Sequence, residues 1–150
     1  MKRLLFSSLV LGLMILTLNA GVSFTNKKLI AADLTVAINS TVVDGAGLTS
    51  EKPIIAYADA VSLIFYVKGN NAGCSAGVIF KFAAYDSIRQ QWDTIEFLSQ
   101  TVAANGTEVV QQTILLNPGA EKIKLLSVQN QETVAGYTVD VNVTIFIRSN

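Results

Sequence analysis

Apolar and polar side chains alternate almost without a break from residue 137 to 148: Tyr137, Val139, Val141, Val143, Ile145 and Ile147 share one parity, and Thr138, Asp140, Asn142, Thr144 and Arg148 the other, with Phe146 the exception. A period of two puts the sets on opposite faces of a strand, so the segment predicts a strand buried on one side. Val61, Leu63, Phe65 and Val67 repeat the pattern against Ser62, Ile64, Tyr66 and Lys68, and Val78, Phe80, Phe82 and Ala84 repeat it again. These three strands are expected to carry the core.

Weaker apolar runs at 34–43, 92–98, 109–116 and 122–129, with a short one at 54–57, lie between turn residues at Asp44-Gly45, Gly69-Asn70-Asn71, Asn105-Gly106 and Asn117-Pro118-Gly119. Seven or eight short strands, with no helical stripe after the amino-terminal segment, predict an all-β fold. The expected form is a single antiparallel β-sandwich, jelly-roll or immunoglobulin-like in topology. The antibody subtype is excluded, because there is one cysteine and Trp92 follows it. The segment 44–53, with Gly45, Gly47 and Pro53, is the expected long loop.

The amino terminus breaks the pattern. From Leu4 to Asn26 run 23 residues without a charge, bracketed by Lys2 and Arg3 before and Lys27 and Lys28 after. The densest part, 4–18, would form a helix of about 22 Å against a hydrocarbon core of about 30 Å, the length of a signal-peptide apolar region. Extension to residue 26 would span, at the cost of enrolling Asn19, Gly21, Ser23 and Thr25. Residues 1–20 are therefore expected to be a secretory signal or an amino-terminal hydrophobic membrane anchor, 21–33 a linker and 34–150 the sandwich, on a secreted or surface-exposed protein.

Charge and cysteine content narrow the function. Eleven basic and eleven acidic residues cancel, and no basic cluster follows Lys28, so the electrostatic footprint of a nucleic-acid binder is missing. Cys74 has no partner in the chain for a disulfide, and with no histidine anywhere it has neither an imidazole base nor a second soft metal ligand.

Gly73-Cys74-Ser75-Ala76-Gly77 fits G-x-S-x-G, but that motif needs a strand-to-helix turn and a base, so a small-residue loop entering a strand is the expected reading. Asp140 and Asn142 share a strand face, yet two oxygen ligands fall short of a calcium shell. Asp93 and Glu96 would point to opposite faces of a strand at 92–98 and could not flank one glycosidic bond. Tyr66, Tyr85 and Trp92 are candidate ligand-stacking rings, which would otherwise extend the core. Asn39, Asn105 and Asn142 begin N-glycosylation sequons.

The chain is thus expected to be a non-catalytic structural or self-assembling subunit of a cell surface, extracellular filament or virion. It would need no cofactor and would associate with itself or other surface proteins through strand edges; Val36, in the first strand, is the position chosen for such an edge. The alternative is a carbohydrate- or ligand-binding adhesion module, and the remote alternative a hydrolase.

Overall fold

The three strongest sequence patterns become the spine of the sandwich. The computed structural model describes residues 23–30 and 33–149; the amino-terminal hydrophobic segment, expected as a signal or anchor helix, lies outside the described residues. Eleven strands follow in order: β1 Ser23–Lys28, β2 Leu34–Val36, β3 Thr41–Asp44, β4 Gly47–Leu48, β5 Ala60–Gly69, β6 Gly77–Asp86, β7 Gln91–Trp92, β8 Leu98–Ala103, β9 Val109–Leu116, β10 Ile123–Asn130 and β11 Val139–Ser149. Among the described residues there is no helix.

The strands form two sheets. The first runs β1-β11-β5-β9, with β2 pairing the far end of β11; the second runs β4-β3-β10-β6, with β7 and β8 both on the outer side of β6. Every pairing is antiparallel except the short one between β3 and β4. The order β2-β11-β5-β9 over β3-β10-β6-β8 sends the chain from one sheet to the other at nearly every connection, a jelly-roll-like arrangement in which sequence neighbours rarely pair.

The expected inward faces hold. Val61, Leu63, Phe65 and Val67 of β5, Val78, Phe80 and Phe82 of β6, and Val139, Val143 and Ile145 of β11 are all fully buried. The aromatic rings join the sheets: Phe65 meets Phe80 at 5.0 Å and Phe82 at 6.0 Å between centroids. The tilted and edge-on geometries are those that suit the charge distribution of aromatic rings.

Several weaker expectations change. The run 34–43 is two strands, because the chain turns at Asn39, which takes a left-handed φ of 45°, and passes from the first sheet to the second. Val36 is consequently a fully buried core residue and not an edge position facing solvent. The run 92–98 is interrupted: Tyr85 pairs Trp92 and Phe82 pairs Leu98, so residues 93–97 oppose only Ala83 and Ala84 and loop outward. The 54–57 run makes a single bridge from Ile54 to Lys122.

Part of the expected linker is structural. Residues 23–28 pair with β11 from Ser23↔Ser149 to Lys28↔Thr144, and Leu29 and Ile30 enter the core. The Leu29 N–H donates to the Val143 carbonyl at 2.8 Å, which continues the pairing past the end of β1.

Candidate functional site

The aromatic candidates do not form one site. Tyr66 projects from β5 on the outer face of the first sheet, between Asn142 and Val110 in register. Tyr85 and Trp92 belong to the second sheet and pack edge-to-face, with centroids 5.4 Å apart at 69°. Two lysines cover this pair. The Lys122 ammonium lies 4.6 Å from the Tyr85 ring centroid and Lys124 lies 5.0 Å from that of Trp92, in the range of a cation–π contact. Asp44 fixes Lys124 through a half-buried ion pair of 3.0 Å. Lys124 stands opposite Ala83 in register and reaches toward Trp92, so its stem covers Ala83, which is fully buried despite its outward parity.

A depression of about 410 Å³ lies beside Tyr66, lined by Lys28, Asp33, Lys68, Asp140 and Asn142. Both of its aspartates accept a hydrogen bond. Thr35 donates to Asp140 at 2.5 Å, and the Asn142 amide donates to Asp33 at 3.3 Å, which ties β2 and the residue ahead of it to β11. Among the described residues no group of three histidine, cysteine, aspartate or glutamate side chains is placed to hold a metal ion.

The loop from Gly73 to Ala76 enters β6 without a helix. Its organiser is Glu132, a residue the sequence reading did not single out. The Glu132 carboxylate, only 3% exposed, accepts the N–H groups of Ser75 at 2.5 Å and Ala76 at 2.7 Å. Its own N–H donates to the Asn130 side chain, whose amide in turn donates to the Val36 carbonyl. Cys74 is buried beside this network, with Asn70 Oδ1 at 3.8 Å from its sulfur. The arrangement fastens a loop, as expected of a carboxylate accepting two backbone bonds, and the bond to Ser75 comes from its backbone N–H.

Glu96 pairs with Lys81 at 3.0 Å, away from Asp86. Asp86 caps the turn after β6: the Arg89 backbone N–H, the largest influence, outweighs the desolvation that opposes it, and with the Ile88 N–H and the Arg89 charge it holds the carboxyl below the usual carboxylate value. The sequon asparagines divide by position. Asn39 and Asn105 are exposed in turns, whereas Asn142 is half-buried in mid-strand with its amide engaged.

An unshielded apolar feature is β9, an edge strand of the first sheet. Its outward residues Val110, Ile114 and Leu116 are 56%, 57% and 74% exposed. Beside β9, on the same flank, runs β8; Thr113 of β9 donates to Gln100 of β8 at 3.0 Å and closes the seam between the sheets. Ile95 and Phe97, just ahead of β8, add further exposed apolar surface. Sequence reading found this strand but had no signal that it would lie at an edge, because pairing order is set by the whole chain.

No protein-family model matches the chain, and neither does any curated protein sequence. Solved structures share its fold. A chain of infectious bursal disease virus, Gx strain, superposes with a TM-score of 0.52 at 8% identity, covering 86% of this chain and 32% of the viral one. Tripeptidyl peptidase 2 gives 0.50 at 10% identity, covering 87% of this chain and 10% of the peptidase. The CBM36-1 domain of a multidomain xylanase from the hindgut metagenome of Trinervitermes trinervoides gives 0.45 at 10% identity over 83% of this chain and 96% of that domain, too low a score to carry weight. This chain therefore spans about a third of the viral chain and a tenth of the peptidase. The likeness is one of β-sandwich fold, which hosts structural and binding roles alike.

Proposed function

We propose that this chain is a non-catalytic structural subunit that works by associating with copies of itself, exported to a cell surface, an extracellular filament or a virion. The observation that carries the reading is β9. Natural sheets usually shield an edge strand with lysine, proline, a bulge or a covering loop. Val109–Leu116 has no charge and no proline, pairs continuously with β5, and exposes three large aliphatic side chains on its outer face. An edge left in that state in a stable exported protein is an edge that another chain covers. Export itself rests on the apolar amino-terminal segment.

A second reading has one observation of its own: Tyr85 and Trp92 adjoin at the surface of the second sheet, where a ring could stack on a sugar. Lysines already lie over both rings, which favours the structural role for them. Light scattering on the purified full chain tests the first reading. A multiple of the 16.1 kDa chain mass supports it, and a monomer at tens of micromolar removes it.

A further inference from the structure

We infer that two copies of the chain join edge to edge through β9, antiparallel, about a two-fold axis passing at Gln112, so that the first sheets of both copies become one continuous sheet. The inference rests on the self-association reading and names its contact. The polarity of β9 is symmetric about that residue: Val109, Val110, Gln111, Gln112, Thr113, Ile114 and Leu115 read apolar, apolar, polar, polar, polar, apolar, apolar in either direction. A two-fold axis there sets Val110 opposite Ile114, Val109 opposite Leu115, Gln111 opposite Thr113 and Gln112 opposite its own copy. Like meets like at every position, on both faces of the sheet.

The faces agree with this register. Val110, Gln112 and Ile114 are exposed on the outer side, and Val109, Gln111, Thr113 and Leu115 are half-buried toward the seam. In an antiparallel pair the residues directly opposite have the same parity, so no apolar side chain would be forced against a polar one. Shifting the axis by one residue, to Thr113, would set Gln112 against Ile114 and lose that match. With no charged residue in β9, two copies meet without like-charge repulsion, and among the described residues nothing pairs its outer side.

The area suffices. Eight residues make an edge about 27 Å long, and two stacked sheets with their side chains give a flank about 20 Å thick. Contact over that flank buries on the order of 1,000 Å² in total, the lower bound for a specific interface. Ile95 and Phe97 lie on the same flank and extend its apolar part.

Cysteine cross-linking in the full chain, purified in mild detergent and oxidised with copper phenanthroline, tests the axis. Residues directly opposite across the pair have Cα atoms about 4.5–5.5 Å apart, within disulfide range. Gln112→Cys should therefore form a covalent dimer with itself. Val110→Cys alone should not, since its copy would lie about 14 Å away along the strand, while an equal mixture of Val110→Cys and Ile114→Cys should. The native protein, with Cys74 buried, is the uncrosslinked control. Ile114→Lys, at an exposed position, should weaken association at least tenfold by light scattering with an unchanged far-UV circular dichroism spectrum. A native protein that is monomeric overturns both this inference and the assembly reading. A native oligomer in which Gln112→Cys fails to cross-link, or Val110→Cys alone succeeds, overturns the axis at Gln112 and leaves assembly standing.

Discussion

Phe65 of β5 and Phe80 of β6 meet across the interior with ring centroids 5.0 Å apart, each fully buried and each contributed by a different sheet. This contact holds the two layers in register, because each ring stands among inward residues of its own strand and packs on the facing one. Phe65→Ala or Phe80→Ala should cost about 3–5 kcal/mol through lost burial and an unfilled cavity. Lys81→Ala, which removes only an exposed pair with Glu96, should cost about 0–1 kcal/mol. Urea midpoints of the three variants check the contrast; equal shifts for Phe80 and Lys81 would contradict the observed faces.

The strands that sequence made legible are those that feed this contact, since a period of two over 61–67 and 78–84 reports which side faces inward without knowledge of the neighbours. The breaks were hidden. Residues 34–43 are apolar enough to read as one strand, and the turn at Asn39 depends on a left-handed backbone that asparagine tolerates but does not announce. Val36 reads in the sequence as an edge position and is core in the fold, so a lysine there would bury an unpaired charge and unfold the protein without reporting on association. The site was less legible still. Tyr66 and Trp92 fall on different sheets, and the role of Glu132 depends on N–H groups 56 and 57 residues away.

Residues 23–30 show the same override and supply a second prediction. Ser23–Lys28 has no clean alternation, yet it pairs with β11, and Leu29 follows it into the core. A chain lacking residues 1–20 should remain folded and soluble, while Leu29→Ala in that shortened chain should lose about 2–5 kcal/mol. Thermal unfolding followed by circular dichroism distinguishes this from a linker, for which the leucine substitution would leave the midpoint unmoved.

Glu132 should act as a fastener and not as a catalytic acid. Glu132→Ala leaves the Ser75 and Ala76 N–H groups without their acceptor, and each such loss costs about 1–3 kcal/mol where water cannot replace it. Glu132→Gln keeps an acceptor oxygen and should lose less. The loop carries Cys74, which is 2% exposed, so its reaction with a thiol reagent offers a local readout. Labelling should be slow in the native protein, faster in Glu132→Gln and fastest in Glu132→Ala. The same rate in all three would show that the carboxylate does not hold the loop.

The lysines over Tyr85 and Trp92 separate a structural surface from a sugar platform. A stacking site needs a ring face open to the ligand, and here Lys124 lies 5.0 Å from the Trp92 centroid, held there by Asp44 at 3.0 Å. If the cluster is structural, millimolar xylan or cellulose oligosaccharides should leave Trp92 emission unchanged. Lys124→Ala should shift the emission to the red by admitting water and uncovering Ala83, with a stability loss of about 1–2 kcal/mol from the cation–π contact, the half-buried pair and the covering stem together. Lys124→Met, which keeps the stem and drops the charge, should recover most of the emission and part of the stability, because cover and charge act separately. Saturable quenching of the native protein by a glycan would instead establish that the lysine moves aside for a ligand, and the adhesion reading would then displace the structural one for this face of the second sheet.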